Sequence, residues 1–160
     1  MSRASYMRRI VGFAVHRGAV EGVGLCRKFN RATGDQPVPT YLSSDHDPLY
    51  RFHQWQANLR ILDVKEIETV PYAPISHPFV ERLIGTIRRE CLDHTLFWTA
   101  ADLEMTLLEF QRYYNGHRAH SSLQGRPPES IPADGGVRTS IRSYRWQTHC
   151  RGLYHTPIAA

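Results

Sequence analysis

His77-Pro78-Phe79-Val80-Glu81-Arg82-Leu83-Ile84-Gly85-Thr86-Ile87-Arg88-Arg89-Glu90 is the stretch on which the fold turns. Ser76 offers a capping hydroxyl just before it, and Pro78 falls in the first turn, where its missing N–H costs nothing. Val80, Leu83, Ile84, Ile87 and Cys91 recur at helical spacing, which predicts an amphipathic helix with those residues towards a core. Glu81, Gly85 and Arg88 stand four and seven residues apart and therefore share a different face of the same helix.

Upstream of this helix the pattern alternates. Residues 9–16 (RIVGFAVH) are apolar and partly β-branched and read as a buried strand. Residues 21–32 read as a helix carrying Leu25 and Phe29 on one face, weakened by Gly22 and Gly24. Residues 34–39 are turn-rich, and residues 40–44 form a short strand that stops at Asp45-His46-Asp47-Pro48. A helix over residues 49–59, striped by Phe52, Trp55 and Leu59, leads to a second short strand over 66–70 before Pro71 and Pro74.

Downstream, Thr99 and Asp102 have the spacing of a capping box opening a helix striped by Leu103, Leu107, Phe110 and Tyr114. Gly125-Arg126-Pro127-Pro128 reads as a boundary, so residues 1–130 are expected as one unit and 131–160 as a basic C-terminal extension. That extension holds two strand-like stretches, residues 140–147 and 152–156, which suit a β-hairpin. Strands alternating with helices make the class α/β.

A chain of 160 residues with 41% hydrophobic and 22% charged side chains has ordinary globular composition, which excludes a disordered chain, a collagen and a disulfide-dense toxin. No apolar run approaches the roughly 18 residues of a membrane span, and the N-terminus lacks the apolar region of a secretory signal. Three scattered cysteines, Cys26, Cys91 and Cys150, read as reduced thiols, so a soluble cytoplasmic chain is expected. The net charge is +5, and of 20 basic residues only Lys28 and Lys65 are lysines. Arginine forks suit a polyanion, but an arginine-rich codon bias gives the same count. Charge alone therefore allows a nucleic-acid partner without establishing one.

Asp45 at the carboxyl end of a predicted strand, Glu81 with 35 residues between them, and Arg88 seven further on carry the chemistry. With Ser43-Ser44, Tyr113-Tyr114-Asn115, Arg118, His120, Ser122-Leu123 and Pro127, they resemble the catalytic domain of insertion-sequence transposases and retroviral-type integrases, the DDE superfamily. The resemblance spans roughly residues 8–129 and implies an RNase H-like fold. It also implies Mg²⁺-dependent (or Mn²⁺-dependent) DNA cleavage and strand transfer, in which two ions about 3.5–4 Å apart hold the attacking and leaving oxygens. Mg²⁺ prefers hard oxygen ligands, which is why carboxylates from separate elements converge on it. The resemblance makes Asp45 and Glu81 the second and third acids and metal ligands, and Arg88 with Arg89 contacts to DNA phosphate. It makes Gly85 a place where the DNA backbone comes close. Read singly, Asp45 is also a helix cap, Glu81 an ion-pair partner of a nearby arginine, and Arg88 part of a solvated face.

One part of the family pattern is missing. The first aspartate is expected about four residues before Arg8-Arg9, where this sequence has Ala4, and residues 1–20 contain no acid. An N-terminally truncated core lacking its first strand is therefore expected, with metal binding weakened and little or no strand transfer. Specific recognition of element ends should be absent too. DNA, and self-association or association with a full-length transposase, are the expected partners, with no membrane. Asp47 leaves only 33 intervening residues to Glu81 and reads as a secondary acid or a turn residue. His46, His53 and His77 lack zinc-ligand spacing, and Trp55 reads as core. Residues 142–149 (RSYRWQTH) suit either a hairpin covering the domain, the preferred reading, or a base-stacking surface on Tyr144 and Trp146.

Overall fold

The computed structural model describes residues 8–34, 36–44, 47–68, 78–129 and 144–159. The chain divides into two compact units, residues 11–86 and residues 1–10 with 87–160.

In the first unit, helix α1 (Gly22–Thr33) is followed by strand β1 (Tyr41–Ser44), a 3-10 turn at Pro48–Arg51, helix α2 (His53–Ile61) and strand β2 (Lys65–Glu68). β1 and β2 pair in parallel, Leu42 opposite Glu66 and Ser44 opposite Glu68, with α2 as the crossover that parallel strands require. Lys65 N–H donates to Thr40 O at 2.9 Å and sets that register. Helical spacing brings Leu25 and Phe29 together on α1, where they pack on the buried Trp55, Leu59 and Val64. The Phe29 ring meets Trp55 edge-on at 5.1 Å. A close helix approach explains Gly22: an added Cβ would lie 2.8 Å from Gln54 Oε1 and 2.9 Å from Phe52 Cβ. The side chains of Asn30 and Asn58 exchange hydrogen bonds of 3.0 and 2.9 Å across the same pair of helices.

Helix α3 (Pro78–Glu90) begins at the proline expected in its first turn and runs across the division between the units. The second unit continues through a 3-10 turn at Leu92–His94 to helix α4 (Ala100–Gly116) and the antiparallel strands β3 (Tyr144–His149) and β4 (Tyr154–Ala159). The capping box of α4 forms as its sequence predicts. Asp102 N–H donates to Thr99 Oγ1 at 3.1 Å and Thr99 N–H to Asp102 Oδ2 at 3.2 Å. The Thr99 hydroxyl also donates to that carboxylate and is the main reason its pKa lies below the ordinary aspartate value. Leu107, Phe110 and Tyr114 are buried at helical spacing along α4. At its end the buried Asn115 acts as a substitute strand: Oδ1 accepts from Ile10 N–H and Nδ2 donates to Ile10 O, both at 2.9 Å. Its own carbonyl accepts from Glu129 N–H at 2.9 Å. Cys91 and Cys150 are buried, and desolvation pushes the Cys150 thiol up to about 12, so it stays protonated.

Four sequence expectations change. Residues 9–16 form no strand; Ile10 is buried as its composition demands, but a side-chain amide takes the place of a neighbouring strand. The helix expected from residue 49 starts later. Asp47 accepts from Leu49 N–H at 2.9 Å to cap the 3-10 turn, and Phe52, extended at ψ 133° and exposed, separates that turn from α2. Val80 and Ile84 are 44% and 55% exposed, because α3 buries only its C-terminal portion around Thr86 and Ile87. The two terminal strands form the expected hairpin; residues 140–143 of the first expected strand lie outside the described residues, and the second runs over Tyr154–Ala159, two to three residues later than expected. Ser76 lies outside the described residues, as do Thr69 and Val70 at the end of the second predicted strand.

Candidate active site

β1 ends at Ser44, and Asp45 and His46, which follow it, lie outside the described residues. Ser44 itself is fixed. It is buried and its hydroxyl donates to Glu66 Oε1 at 2.5 Å. Glu66 Oε2 accepts from Gln56 Nε2 at 2.6 Å, and the same amide donates to Tyr50 O at 3.0 Å. Strand end, crossover helix and second strand are thereby tied immediately ahead of Asp45. Sequence reading missed Glu66. Its only signal is the parallel register, which puts Leu42, Ser44 and Glu66 on one sheet face although Ser44 and Glu66 are 22 residues apart.

Glu81 is exposed in the first turn of α3. Gly85 follows one turn later and Arg88 two turns later, about 10 Å along the axis at 1.5 Å per residue. Arg88 and Arg89 are both exposed in the last turn, where the helix dipole favours cations. The structure thus brings Glu81, Gly85 and Arg88 onto one helix face, as their spacing predicts. Glu81 and Asp45 are hard oxygen donors of the kind Mg²⁺ takes. Among the described residues no group of three His, Cys, Asp or Glu side chains is placed to hold a metal. A cavity of about 290 Å³ opens beside Ser43 and Ser44, but Phe13, Leu25, Phe29, Leu42 and Trp55 line it. That lining suits apolar contact, not metal.

Of the other residues of the resemblance, Arg118 ties the end of α3 to the segment that follows α4. Arg118 grips Glu90, the last residue of α3, through two parallel bonds, Nε to Oε2 at 2.7 Å and Nη2 to Oε1 at 2.6 Å. Its guanidinium also lies 5.4 Å from the centroid of the Tyr114 ring. The Glu90 carboxylate raises the Arg118 pKa. His120 is buried, edge-on to Tyr114 at 4.7 Å, with Nδ1 3.4 Å from Arg118 Nη1. Burial first, and the Arg118 charge second, lower its pKa below the ordinary histidine value, outweighing the opposing pull of Glu90. The fold therefore prefers the neutral ring. Its contribution to stability is complete above the unfolded pKa of about 6.5 and is lost as the pH falls below it. His149 shifts the same way, through burial and then His117. We expect the urea midpoint to drop between pH 7.5 and 5, and the drop to shrink in His120→Gln; an equal drop in the variant would mean that His120 is not a source.

Residues 62–128 match the family described as Integrase core domain. The chain is 26% identical over 129 residues to an insertion element IS476 uncharacterized 39.2 kDa protein of Xanthomonas euvesicatoria, covering 81% of this chain and 37% of that protein. It is 25% identical over 131 residues to an insertion element IS407 uncharacterized 31.7 kDa protein of Burkholderia multivorans, covering 80% and 46%. The chain thus spans less than half the length of either relative. Among solved structures it resembles a chain of the simian T-cell lymphotropic virus intasome in complex with PP2A regulatory subunit B56 gamma, with TM-score 0.60, 15% identity and coverage of 84% and 50%. It also resembles the catalytic core domain of BIV integrase, with TM-score 0.54, 17% identity and coverage of 70% of each chain. At those identities the likeness speaks for the fold, an RNase H-like α/β core.

Proposed function

We propose that this integrase/transposase catalytic core acts on DNA in integration or transposition. Asp45 and Glu81 are its metal-binding carboxylates, and Arg88 and Arg89 are its phosphate contacts, with Gly85 giving the DNA backbone room. The observation that carries the reading is the face of α3: an exposed carboxylate, a glycine and an exposed arginine in line, inside the segment that matches the family. When bound, Mg²⁺ or Mn²⁺ supplies electrostatic stabilisation of the attacking and leaving oxygens of a phosphodiester. Glu81 and Asp45 orient that charge at the scissile link, and the arginines hold the flanking phosphates by forked hydrogen bonds. Residues 1–130 form the core in this reading and 131–160 a basic extension. The chain works in the cytoplasm, with DNA and with further copies of itself or of a longer transposase. Among the described residues no helix is long and apolar enough to cross a membrane.

The 160 residues carry two of the three acids that the family resemblance implies, since residues 1–20 contain none. Two carboxylates would hold a single metal ion weakly and would not fix the pair of ions that in-line transfer uses. A plasmid nicking and oligonucleotide joining assay of the 160-residue polypeptide tests this. End processing and strand transfer should stay near background in Mg²⁺. Any residual Mn²⁺-dependent nicking should vanish in Asp45→Asn and in Glu81→Gln. Nicking that survives both substitutions would contradict the assignment, and efficient joining by the unaltered polypeptide would contradict the two-acid argument. DNA binding that falls steeply with salt but ignores metal, with no nicking at all, would favour a non-catalytic DNA-binding role.

A further inference from the structure

The β3–β4 hairpin lies beyond residue 128, where the family match ends, and nothing in the site above uses it. One of its faces is seated on α4. Tyr154 stacks on Tyr113 at 4.1 Å with the rings 8° from parallel, and its hydroxyl donates to Glu90 O at 2.6 Å. His149, opposite Tyr154 in the register, shares that face and lies 5.7 Å from the Tyr113 ring. Because strand side chains alternate, Thr156 is on this face too, whereas Thr148 and His155 occupy the other.

The seating brings two imidazoles together. His117, the C-cap of α4, and His149 have ring centroids 4.3 Å apart, with their planes tilted by 44°. That tilt is neither a parallel stack nor an edge-on contact. Two imidazoles held cis on one ion, with metal–nitrogen bonds of about 2.0 Å and a right angle between them, have ring centres about 4.5 Å apart. A tetrahedral angle would widen the separation to about 5.1 Å. The observed spacing is therefore that of a square-planar or octahedral ion.

Three further features suit a metal. His149 Nε2 lies 2.7 Å from Thr156 Oγ1. A hydroxyl that accepts from Nε2–H leaves the lone pair on Nδ1, and ligating histidines use such a bond to fix ring and tautomer. Among the described residues, no hydrogen bond engages His149 Nδ1 or either ring nitrogen of His117. The second feature is charge. α4 ends at this point with no basic residue in its last turn, and a helix C-terminus carries negative partial charge that favours a cation. Arg118, just beyond it, is paired with Glu90. The third is access: His117 is exposed and His149 half-buried, so an ion can enter and keep water in its other positions. Among the described residues no third His, Cys, Asp or Glu joins them.

We propose that His117 and His149 form a two-histidine site for a divalent d-block ion that takes nitrogen ligands at right angles, Ni²⁺ or Cu²⁺, with water completing the shell. The ion bridges the end of α4 and strand β3. This goes beyond the DNA reading and does not rest on it, because imidazole selects a different class of metal from the hard oxygens of Asp45 and Glu81.

The test is isothermal titration calorimetry of Ni²⁺ into the untagged 160-residue chain, with Mg²⁺ in excess to occupy carboxylate sites. One Ni²⁺ site is expected. His117→Ala and His149→Ala should each abolish it. Thr156→Val keeps both ligands but releases the His149 ring, and should weaken binding about tenfold, the lower end for losing a group that supports a ligand. His155→Ala, on the opposite face of the hairpin, is the control and should bind as the unaltered chain does. No Ni²⁺ site in the unaltered chain, a site that survives in His117→Ala or in folded His149→Ala, or an equal loss in His155→Ala would each overturn the proposal. The measurement needs neither DNA nor cleavage, so failed nicking leaves it standing. Conversely, loss of the histidine site leaves the catalytic reading intact.

Discussion

Replacing Trp55 by alanine should destabilise residues 11–86 by about 3–5 kcal/mol, the range for emptying a buried aromatic site. Trp55 is 2% exposed and forms the centre around which α1, the 3-10 turn, α2 and Leu42 of β1 assemble. Phe29 meets it from α1 and Tyr50 from the turn, the latter at 5.7 Å between ring centroids. A domain is stable by only about 5–15 kcal/mol, so the loss removes a large share of the total. Trp55→Phe should cost less than the alanine change, because it leaves the smaller cavity. Among the described residues the buried indole N–H has no hydrogen-bond partner, and phenylalanine removes that donor while keeping most of the ring. Urea unfolding followed by far-ultraviolet circular dichroism reads both variants, because the signal of α1 and α2 does not need Trp55, and the remaining Trp98 and Trp146 are already exposed in the folded chain. A shift below about 1 kcal/mol in the alanine variant would mean that this cluster is not what holds the unit together.

The elements that could be read from sequence are those whose cause is local. Leu25 with Phe29, the Thr99–Asp102 box, and Leu107, Phe110 and Tyr114 each lie within a turn or two of one another, and each forms as its spacing predicts. Glu81, Gly85 and Arg88 were legible for the same reason: one helix carries all three. Features set by distant partners were not. The apolar run at residues 9–16 has strand composition, yet what pairs with Ile10 is an amide 105 residues away. The α3 stripe extends to Val80 and Ile84 in sequence, but burial depends on what packs there, and the packing reaches only the later turns. Asp47 combined both kinds of signal: its place before Pro48 suited a turn, and it caps one. Glu66 was invisible because its partner Ser44 meets it only through the parallel register. Asp45, the residue the chemical argument needs most, was named from spacing and resemblance, and it lies outside the described residues.

The largest functional effect belongs to that aspartate and Glu81. If they hold one ion between them, each is a direct ligand, and losing either should weaken binding by at least about tenfold, the lower bound for disturbing even the groups that support metal ligands. Asp47 is engaged as a turn cap and Glu66 in the Ser44–Gln56 network, so removing the charge of Asp47 should leave the ion in place. Glu66→Gln acts only through the anchoring of β1 and should have the smaller effect. The decisive measurement is a Mn²⁺ titration of the full 160-residue chain followed by electron paramagnetic resonance, with the variants Asp45→Asn, Glu81→Gln and Asp47→Asn. The expected result is one weak site, lost to the same extent in Asp45→Asn and Glu81→Gln and preserved in Asp47→Asn. A site that survives either of the first two substitutions, or that disappears with Asp47→Asn alone, would show that Asp45 and Glu81 do not share a metal.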